Sequence, residues 1–514
     1  MKKIFFYINL ILLISLLAVS CEKKQEDLPI VEKSGIDPVS QFIYDGMSTY
    51  YFWADEVTAK KPTKEDKDPE VYFSSLINKL DKDHGWSFIT DDVESLLSDF
   101  SGEPKDFGFS VTFAAANEAG TEYFAIIQYV FPETPASNAG LKRLDVIGKI
   151  NGQVITSSNY MTLYGNQTAT FSMYKITDSG LVADREVTMT PTVNQTNPVL
   201  YKNVYEINGK KIAYLFYTGF ISEYNNSLFS AFEEFKLAGA TDVVLDIRYN
   251  RGGSLGAASY LGSLLAPKSV VESKSPFVVM TYNKFINEYF DTNGGNRTYY
   301  LGNFSITSES NPLNANLDLS KVYIIATGGS ASASELITFC LRPYTNVVHI
   351  GGKTSGKYTA SWTLHPYNDY GGGVVNIYEE KKLSSTDIKK LKNWAMQPIV
   401  GMYANHKGEN FSNPGYLQPN YELKEGGGYV NNWKPIGDLT DTFLGQAIYL
   451  ITGDETYKPK AQNVLPMGKI KVDEKIDQLM NRSLKEVSNQ TLVIDDIKLS
   501  PKDFEEIKLL KEKM

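Results

Sequence analysis

Residues 328–357 read GGSASASELITFCLRPYTNVVHIGGKTSGK, and the elements they encode set the fold of the chain around them. Just ahead, Val322-Tyr323-Ile324-Ile325-Ala326 is a short apolar run of the kind that forms a buried strand. A Gly-Gly-Ser turn follows, and from Ala331 to Leu341 small or apolar residues recur at helical spacing, Leu336, Phe339 and Cys340 among them. The order is strand, tight turn, helix. Small residues crowd such a turn where backbone must approach a ligand closely, and a hydroxyl there lies beside the free N–H groups of the helix. A serine so placed can act as a nucleophile with an oxyanion site beside it. A second short strand, Val347 to Ile350, leads to a glycine-rich turn ending in Gly356-Lys357. Lysine serves as general base for serine when burial lowers its pKa, because desolvation disfavours the ammonium form. Ser332, the middle serine of Ser330-Ala331-Ser332-Ala333-Ser334-Glu335, and Lys357 then fall at the ends of adjacent strands.

The same glycine turn, Gly351 to Lys357, satisfies G-x-x-x-x-G-K of a phosphate-binding loop. Tyr358 stands where that motif needs Ser or Thr to hold magnesium, and Thr359 to Leu364 reads as extended where a helix is required. A nucleotide site is set aside on both grounds. After Tyr205 strands and helices alternate. Lys211 to Phe216 is a strand, Leu228, Ala231, Phe232 and Phe235 mark a helix stopped at Gly239, and Asp242 to Ile247 is a buried strand. This alternation predicts an α/β layer structure with ligands at the carboxyl ends of strands.

These segments are similar to the C-terminal processing (tail-specific) serine peptidases. The family's SASASE and G-K-T-F-G-K segments match Ser330 to Glu335 and Gly352 to Lys357 with the intervening spacing kept. The resemblance implies an α/β, ClpP/crotonase-like catalytic domain over residues 200–455, with Ser332 as nucleophile, Lys357 as base and no cofactor. Two positions depart from the family pattern. Its phenylalanine is Ser355 here, and a glutamine four residues after the lysine is Ser361, so either the Ser361 hydroxyl orients Lys357 or that support is lost. Asp246 to Gly253, DIRYNRGG, resembles the family's D-L-R-x-N-x-G-G, in which a glycine N–H and the N–H after the serine form the oxyanion hole. Carried over, Gly252 or Gly253 partners Ala333, with the choice between them open.

Residues 104–195 change to short alternating strands. Thr134 caps a short helix begun by Pro135 and ended at Gly140, and Asn151-Gly152 marks a turn. This part resembles a PDZ domain, with Phe107, Gly108, Phe109 and Ser110 as its carboxylate-binding loop and Leu144 in place of the usual glycine. Such domains hold a peptide's C-terminal carboxylate in backbone N–H groups and pair its strand with a sheet edge. Polypeptides with free C-termini are the implied partners.

Residues 36–103 read as a helical region, with Asp37-Pro38 and Asp68-Pro69 as helix starts. Ahead of it, Lys2-Lys3, an apolar run from Ile4 to Val19 and Ser20-Cys21 form a secretory signal over residues 1–20. The cysteine at the cut resembles a bacterial lipobox, so an exported lipoprotein is expected, held to a bilayer through acylated Cys21 on a charged tether, residues 21–35. It would face the periplasm or the cell surface. Cys21 and Cys340 are the two cysteines, so no intrachain disulfide is expected. The net charge of −9 argues against a nucleic-acid partner, and the four histidines show no ligand spacing, so no metal site is expected. Residues 268–316, rich in Asn, Ser and Tyr, read as an insertion beside the cleft, and 456–514 as a C-terminal extension of unknown role. Oligomeric state is not encoded in any of these signals. Two rival readings keep the same chain: a catalytically inactive, peptidase-like binding lipoprotein, given Ser355 and Ser361, and a surface glycan-binding or adhesion lipoprotein, given 33 tyrosines. Active-site labelling separates the first from a peptidase and glycan retention tests the second.

Overall fold

The computed structural model describes residues 35–460, apart from 166, 178–179, 304–308, 369 and 371–372, together with residues 492–513. The signal segment, Cys21 and nearly all of the tether lie outside the described residues.

The first helix, Pro38–Tyr50, is capped by Asp37, whose carboxylate accepts from the Val39 N–H at 2.9 Å. Asp68 caps Pro69–Leu76 in the same way. Phe42, Ile43, Met47, Phe73 and Leu76 are buried, each contributing about 1.5–3 kcal/mol by leaving water. They join one core with Leu228, Ile324 and Leu336, so the helical region is packed onto the α/β layer. It also contributes a strand, Phe88–Thr90, paired antiparallel with Ala395–Gln397, before its last helix, Val93–Phe100.

The β region stacks Phe109–Ala115, Tyr123–Val130, Val146–Ile150, Ala169–Thr177 and Gly180–Met189 side by side, all antiparallel, over its own core of Phe107, Phe113, Ile127 and Phe171. Phe109–Ala115 is an edge strand. Leu144 takes φ +77°, so a leucine bears the left-handed backbone for which the resemblance implies glycine.

The α/β region is built on a six-stranded sheet. Val199–Ile207 and Lys210–Tyr217 form an antiparallel pair, followed in parallel by Asp242–Asp246, Lys321–Ala326, Asn346–Gly351 and Tyr421–Glu422. Successive residues face opposite layers. Ala213, Leu215 and Leu245 join the helices Leu255–Leu265 and Ala333–Cys340, whereas Ile212, Tyr214 and Val244 pack on Thr442–Thr452. Burial on both faces is why these strands read as continuous apolar runs. At the end of Asp242–Asp246, the buried Arg248 guanidinium contacts Asp246 (2.6 Å), Glu425 (2.6 Å) and Asp441 (2.9 Å). Arg143 of the β region shares Glu425 at 2.7 Å, which fastens that region to the core. A buried charge stripped of its partner typically costs about 3–5 kcal/mol, so these contacts depend on one another.

Residues 268–316 differ from the expected insertion. Pro276–Tyr282 pairs antiparallel with Ile399–Asn405 in a second sheet that also holds Thr298–Tyr300, Thr359–Ser361 and Leu492–Val493. Polar neighbours dilute the composition of the segment, yet Phe277, Val278 and Met280 are buried. Cys340 is free and buried, and burial raises its thiol pKa. Among the described residues no helix is long and apolar enough to cross a membrane.

Candidate active site

The turn after Lys321–Ala326 sorts its three serines by hydrogen bonding. Ser330 Oγ accepts from the Thr327 N–H at 2.9 Å and donates to the Ile247 carbonyl at 2.7 Å. Ser334 Oγ donates to the Asn250 carbonyl at 2.8 Å. Both fasten the turn to the strand end carrying the glycine loop. Ser332 Oγ is buried and has no hydrogen-bond partner. Ser332 also takes φ +60°, ψ −113°, a rare conformation for a residue with a side chain, worth about 1–3 kcal/mol of local strain.

Glu335 holds this turn against the lysine turn. Its Oε2 accepts the amides of Ser332 and Lys357, both at 2.8 Å, and Oε1 accepts the Gly356 amide at 2.7 Å. One carboxylate therefore receives the backbone of both sequence-predicted residues. Burial raises its pKa, while Thr354 and the three amides favour the charged form. The Tyr403 hydroxyl adds a second link, reaching the carbonyls of Ser332 (3.3 Å) and Lys357 (3.2 Å).

Lys357 is 2% exposed, and burial pulls its pKa down to about 7, against the opposing pull of Asp81 and Glu335. Asp81 comes from the N-terminal region. Its carboxylate, pushed up by burial, accepts from the Ser87 amide (2.8 Å), the Ser87 hydroxyl (2.5 Å) and the Tyr51 hydroxyl (2.7 Å). Ser87 Oγ in turn accepts from the Ile399 N–H at 2.9 Å, and Trp86 meets Tyr358 edge-on with ring centroids 5.5 Å apart. These contacts lock the helical region beside the lysine.

The glycine loop lies against Ser332. A Cβ on Gly252 would come within 2.7 Å of Ser332 Cβ and 3.0 Å of the Ala333 nitrogen, at φ +111°, so only glycine fits. The Gly252 N–H donates to Asn250 Oδ1 at 2.9 Å. The amides of Gly253 and Ala333 have no acceptor among the described residues. The arrangement thus brings together a partnerless buried hydroxyl, a lysine that is half neutral near pH 7, and two unclaimed N–H donors.

Of the two alternatives left open at Ser361, the geometry favours the loss of the lysine support. Its Oγ makes no hydrogen bond, and it sits in the strand Thr359–Ser361, where four extended residues span about 13 Å. The four histidines are engaged elsewhere: His84 stacks on Trp86, His349 Nε2 lies 3.2 Å from the Ala326 carbonyl, His365 Nε2 lies 3.1 Å from that of Lys392, and His406 stacks on Tyr344. Among the described residues no group of His, Cys, Asp and Glu is placed to hold a metal ion.

In the β region the Gly108 N–H donates to Asp106 Oδ1 at 2.8 Å, Phe107 is buried, and Phe109 and Ser110 open onto a cleft. The cleft, about 600 Å³, runs from these residues past Phe220 to Gly252 and Gly253.

Two residues of the site escaped the sequence reading. Glu335 carried a signal, since Ser332-Ala333-Ser334-Glu335 has the S-x-x-E spacing of a capping box. Asp81 carried none, because in Lys79–His84 it is indistinguishable from its solvated neighbour Asp83.

Comparison with known proteins bears on the whole of this region. Residues 211–422 match the family model for peptidase family S41, and residues 39–88 that for the peptidase S41 N-terminal domain. Carboxyl-terminal-processing peptidase 2, chloroplastic, of Arabidopsis thaliana is 24% identical over 307 residues, 58% of this chain and 54% of that protein. The carboxyl-terminal-processing protease of Synechocystis sp. is 25% identical over 262 residues, 50% of this chain and 55% of the relative. The chain spans about half the length of these curated relatives. A Bacteroides fragilis crystal structure assigned to the S41 proteases superposes with a TM-score of 0.61 at 26% identity, covering 80% of this chain and 97% of its own.

Proposed function

Because the chain belongs to peptidase family S41, we propose that it is a serine endopeptidase in which Ser332 is the nucleophile and Lys357 the general base. The observation that carries this is the contrast within one turn: Ser330 and Ser334 spend their hydroxyls on structure, while Ser332 Oγ has no partner. Neutral Lys357 takes the Ser332 proton as Oγ attacks the scissile carbonyl. The oxyanion that forms is held by the amides of Ala333 and Gly253, not Gly252, whose N–H already serves Asn250. Collapse expels the amine, which takes the proton from Lys357, and water then hydrolyses the acyl-enzyme by the same exchange. Incubation with unfolded protein, read as fragment masses for wild type and Ser332→Ala, tests the assignment.

Asp81 sets the working pH in this scheme. Its charge raises the Lys357 pKa, so Asp81→Asn lowers that pKa further below 7 and moves the acid limb of the pH–rate profile to lower pH. A limb that stays in place while activity falls would make Asp81 a structural residue only.

The β region is proposed to act as a PDZ-like reader of substrate C-termini. Its edge strand and the cleft leading to Gly253 support this, and the Asp106 carboxylate on Gly108 is the group that a peptide carboxylate would displace. Amidating a peptide's C-terminus is expected to weaken its binding about ten-fold, the loss of one charge-assisted hydrogen bond. Equal binding of amidated and free peptides would remove the loop as a reader. Export and acylation of Cys21 belong to the same proposal and rest on the sequence of residues 2–21. Radiolabelled fatty acid should enter the wild-type protein and not Cys21→Ala, and label in both would sink the anchor.

A further inference from the structure

The C-terminal residues 492–495 lie against the glycine loop of the candidate active site. Leu492–Val493 runs parallel to Thr359–Ser361, with Ala360 opposite Leu492 and Ser361 opposite Val493, and bridges Ser254 on its other side. The Val493 N–H donates to the Gly253 carbonyl at 3.0 Å and the Ile494 N–H to the Ser361 carbonyl at 3.3 Å. The segment is therefore a strand held between the glycine loop and the strand that follows Lys357. Leu492 and Ile494 are fully buried.

Its next residue enters a site built for a carboxylate. Asp495 Oδ2 accepts from Ser222 Oγ (2.7 Å) and Ser254 Oγ (2.6 Å), and Oδ1 from the Gly256 N–H (3.3 Å) at the start of Leu255–Leu265. Gly373 closes over it, since a Cβ there would stand 3.1 Å from Asp495 Cα. Farther on, the helix Pro501–Lys513 buries Phe504 and Ile507 against the N-terminal region, which anchors the tail.

The cleft from the β region is lined at this end by Gly252, Gly253, Val493 and Asp495, while Ser332 has no exposed surface. A polypeptide arriving along the cleft meets the tail strand beside the proposed oxyanion donor. The backbone groups engaged by the tail are main-chain carbonyls, and any extended peptide presents N–H groups to such acceptors. The two hydroxyls and the amide around Asp495 add a preference for an acid.

We propose that the slot between Gly253 and Ser361 is a peptide-binding subsite for an extended segment with an acidic side chain two residues after the one paired to Gly253, and that Leu492 to Asp495 is its resident occupant, displaced by incoming polypeptide. The inference rests on the peptidase reading for its consequence, that the resting enzyme is self-covered, but the slot itself requires no nucleophile.

The test uses the full chain carrying Ser332→Ala, so that nothing is cut, and a fluorescent synthetic peptide Leu-Val-Ile-Asp-Asp-Ile-Lys, the sequence of residues 492–498. Adding Asp495→Asn weakens the resident strand, and peptide affinity is expected to rise about ten-fold, the effect of one charge-assisted hydrogen bond. The peptide with Asn for its first Asp should bind about ten-fold more weakly than its parent. Val493→Pro, which removes the N–H given to Gly253, is a second route to the same gain. Affinity that is equal in all chains, or indifferent to Asp against Asn in the peptide, overturns the proposal. In the chain with Ser332 intact, Val493→Pro should speed phosphonate labelling of Ser332 about ten-fold. Peptide binding as expected, with Ser332 never labelled in any variant, supports the slot and refutes the Ser–Lys reading instead.

Discussion

Ser332→Ala is expected to reduce kcat by a factor on the order of 10⁶, the scale seen when a serine peptidase loses its nucleophile. The neighbouring serines should respond differently. Ser330→Ala leaves the Thr327 N–H without its acceptor, at about 1–3 kcal/mol, and strips one of two bonds from the Ile247 carbonyl, which keeps the Asn250 N–H, and so lowers stability. Ser334→Ala strips one bond from the Asn250 carbonyl. Both variants, assayed below their melting temperatures, should retain most of the wild-type rate per folded molecule. Ser332→Ala should melt at or above the wild-type temperature, because it removes a buried hydroxyl without a partner and leaves the backbone strain at φ +60° unchanged. Proteolysis read as fragment masses, beside thermal unfolding, separates the two classes. Equal loss of rate in all three variants with the fold intact would refute the choice of the middle serine.

Lys357→Met should be as inactive as Lys357→Ala, a fall of about 10⁴-fold for the loss of the base, and yet more stable than wild type. The sign follows from the direction of the shift. The folded-state pKa is depressed from 10.5 to about 7, so the stability linked to this group is fully present above 10.5 and lost as pH falls toward 7. Below pH 7 the wild-type protein buries a charged ammonium that methionine does not have. The stability advantage of Lys357→Met should therefore be largest at pH 6 and shrink steadily between pH 7 and 10.5, measured by denaturant unfolding across that range. Wild-type rates should rise with pH through about 7, as the neutral amine becomes available. Lys357→Arg keeps a permanent charge and cannot act as base, so it should be inactive at every pH in that range. Near wild-type cleavage by Lys357→Arg would show that another group takes the proton.

Local sequence was enough for the elements that carry the site. Val322 to Ala326 reads as a buried strand followed by a glycine turn, and Leu336, Phe339 and Cys340 as one helix face, and both elements form as read. Those periodicities are imposed by backbone geometry within a few residues. Asp37-Pro38 and Asp68-Pro69 mark helix starts for the same reason, since a carboxylate satisfies amides two or three residues away. The serine and lysine segments, being contiguous motifs, were legible with their spacing. The proposed choice of Gly253 over Gly252 was not, because it rests on which amide the Asn250 side chain takes. The choice between the two alternatives at Ser361 was not legible either, because the path of the chain after Lys357, extended and paired to Ile399, is set by a partner strand distant in sequence. Asp81 beside Lys357, Pro276–Tyr282 in the second sheet, and Leu492 to Asp495 in the cleft follow the same logic. Each is placed by burial of apolar faces and pairing of backbone groups across long stretches of chain, where many partners satisfy the same local pattern and only the packed whole selects one.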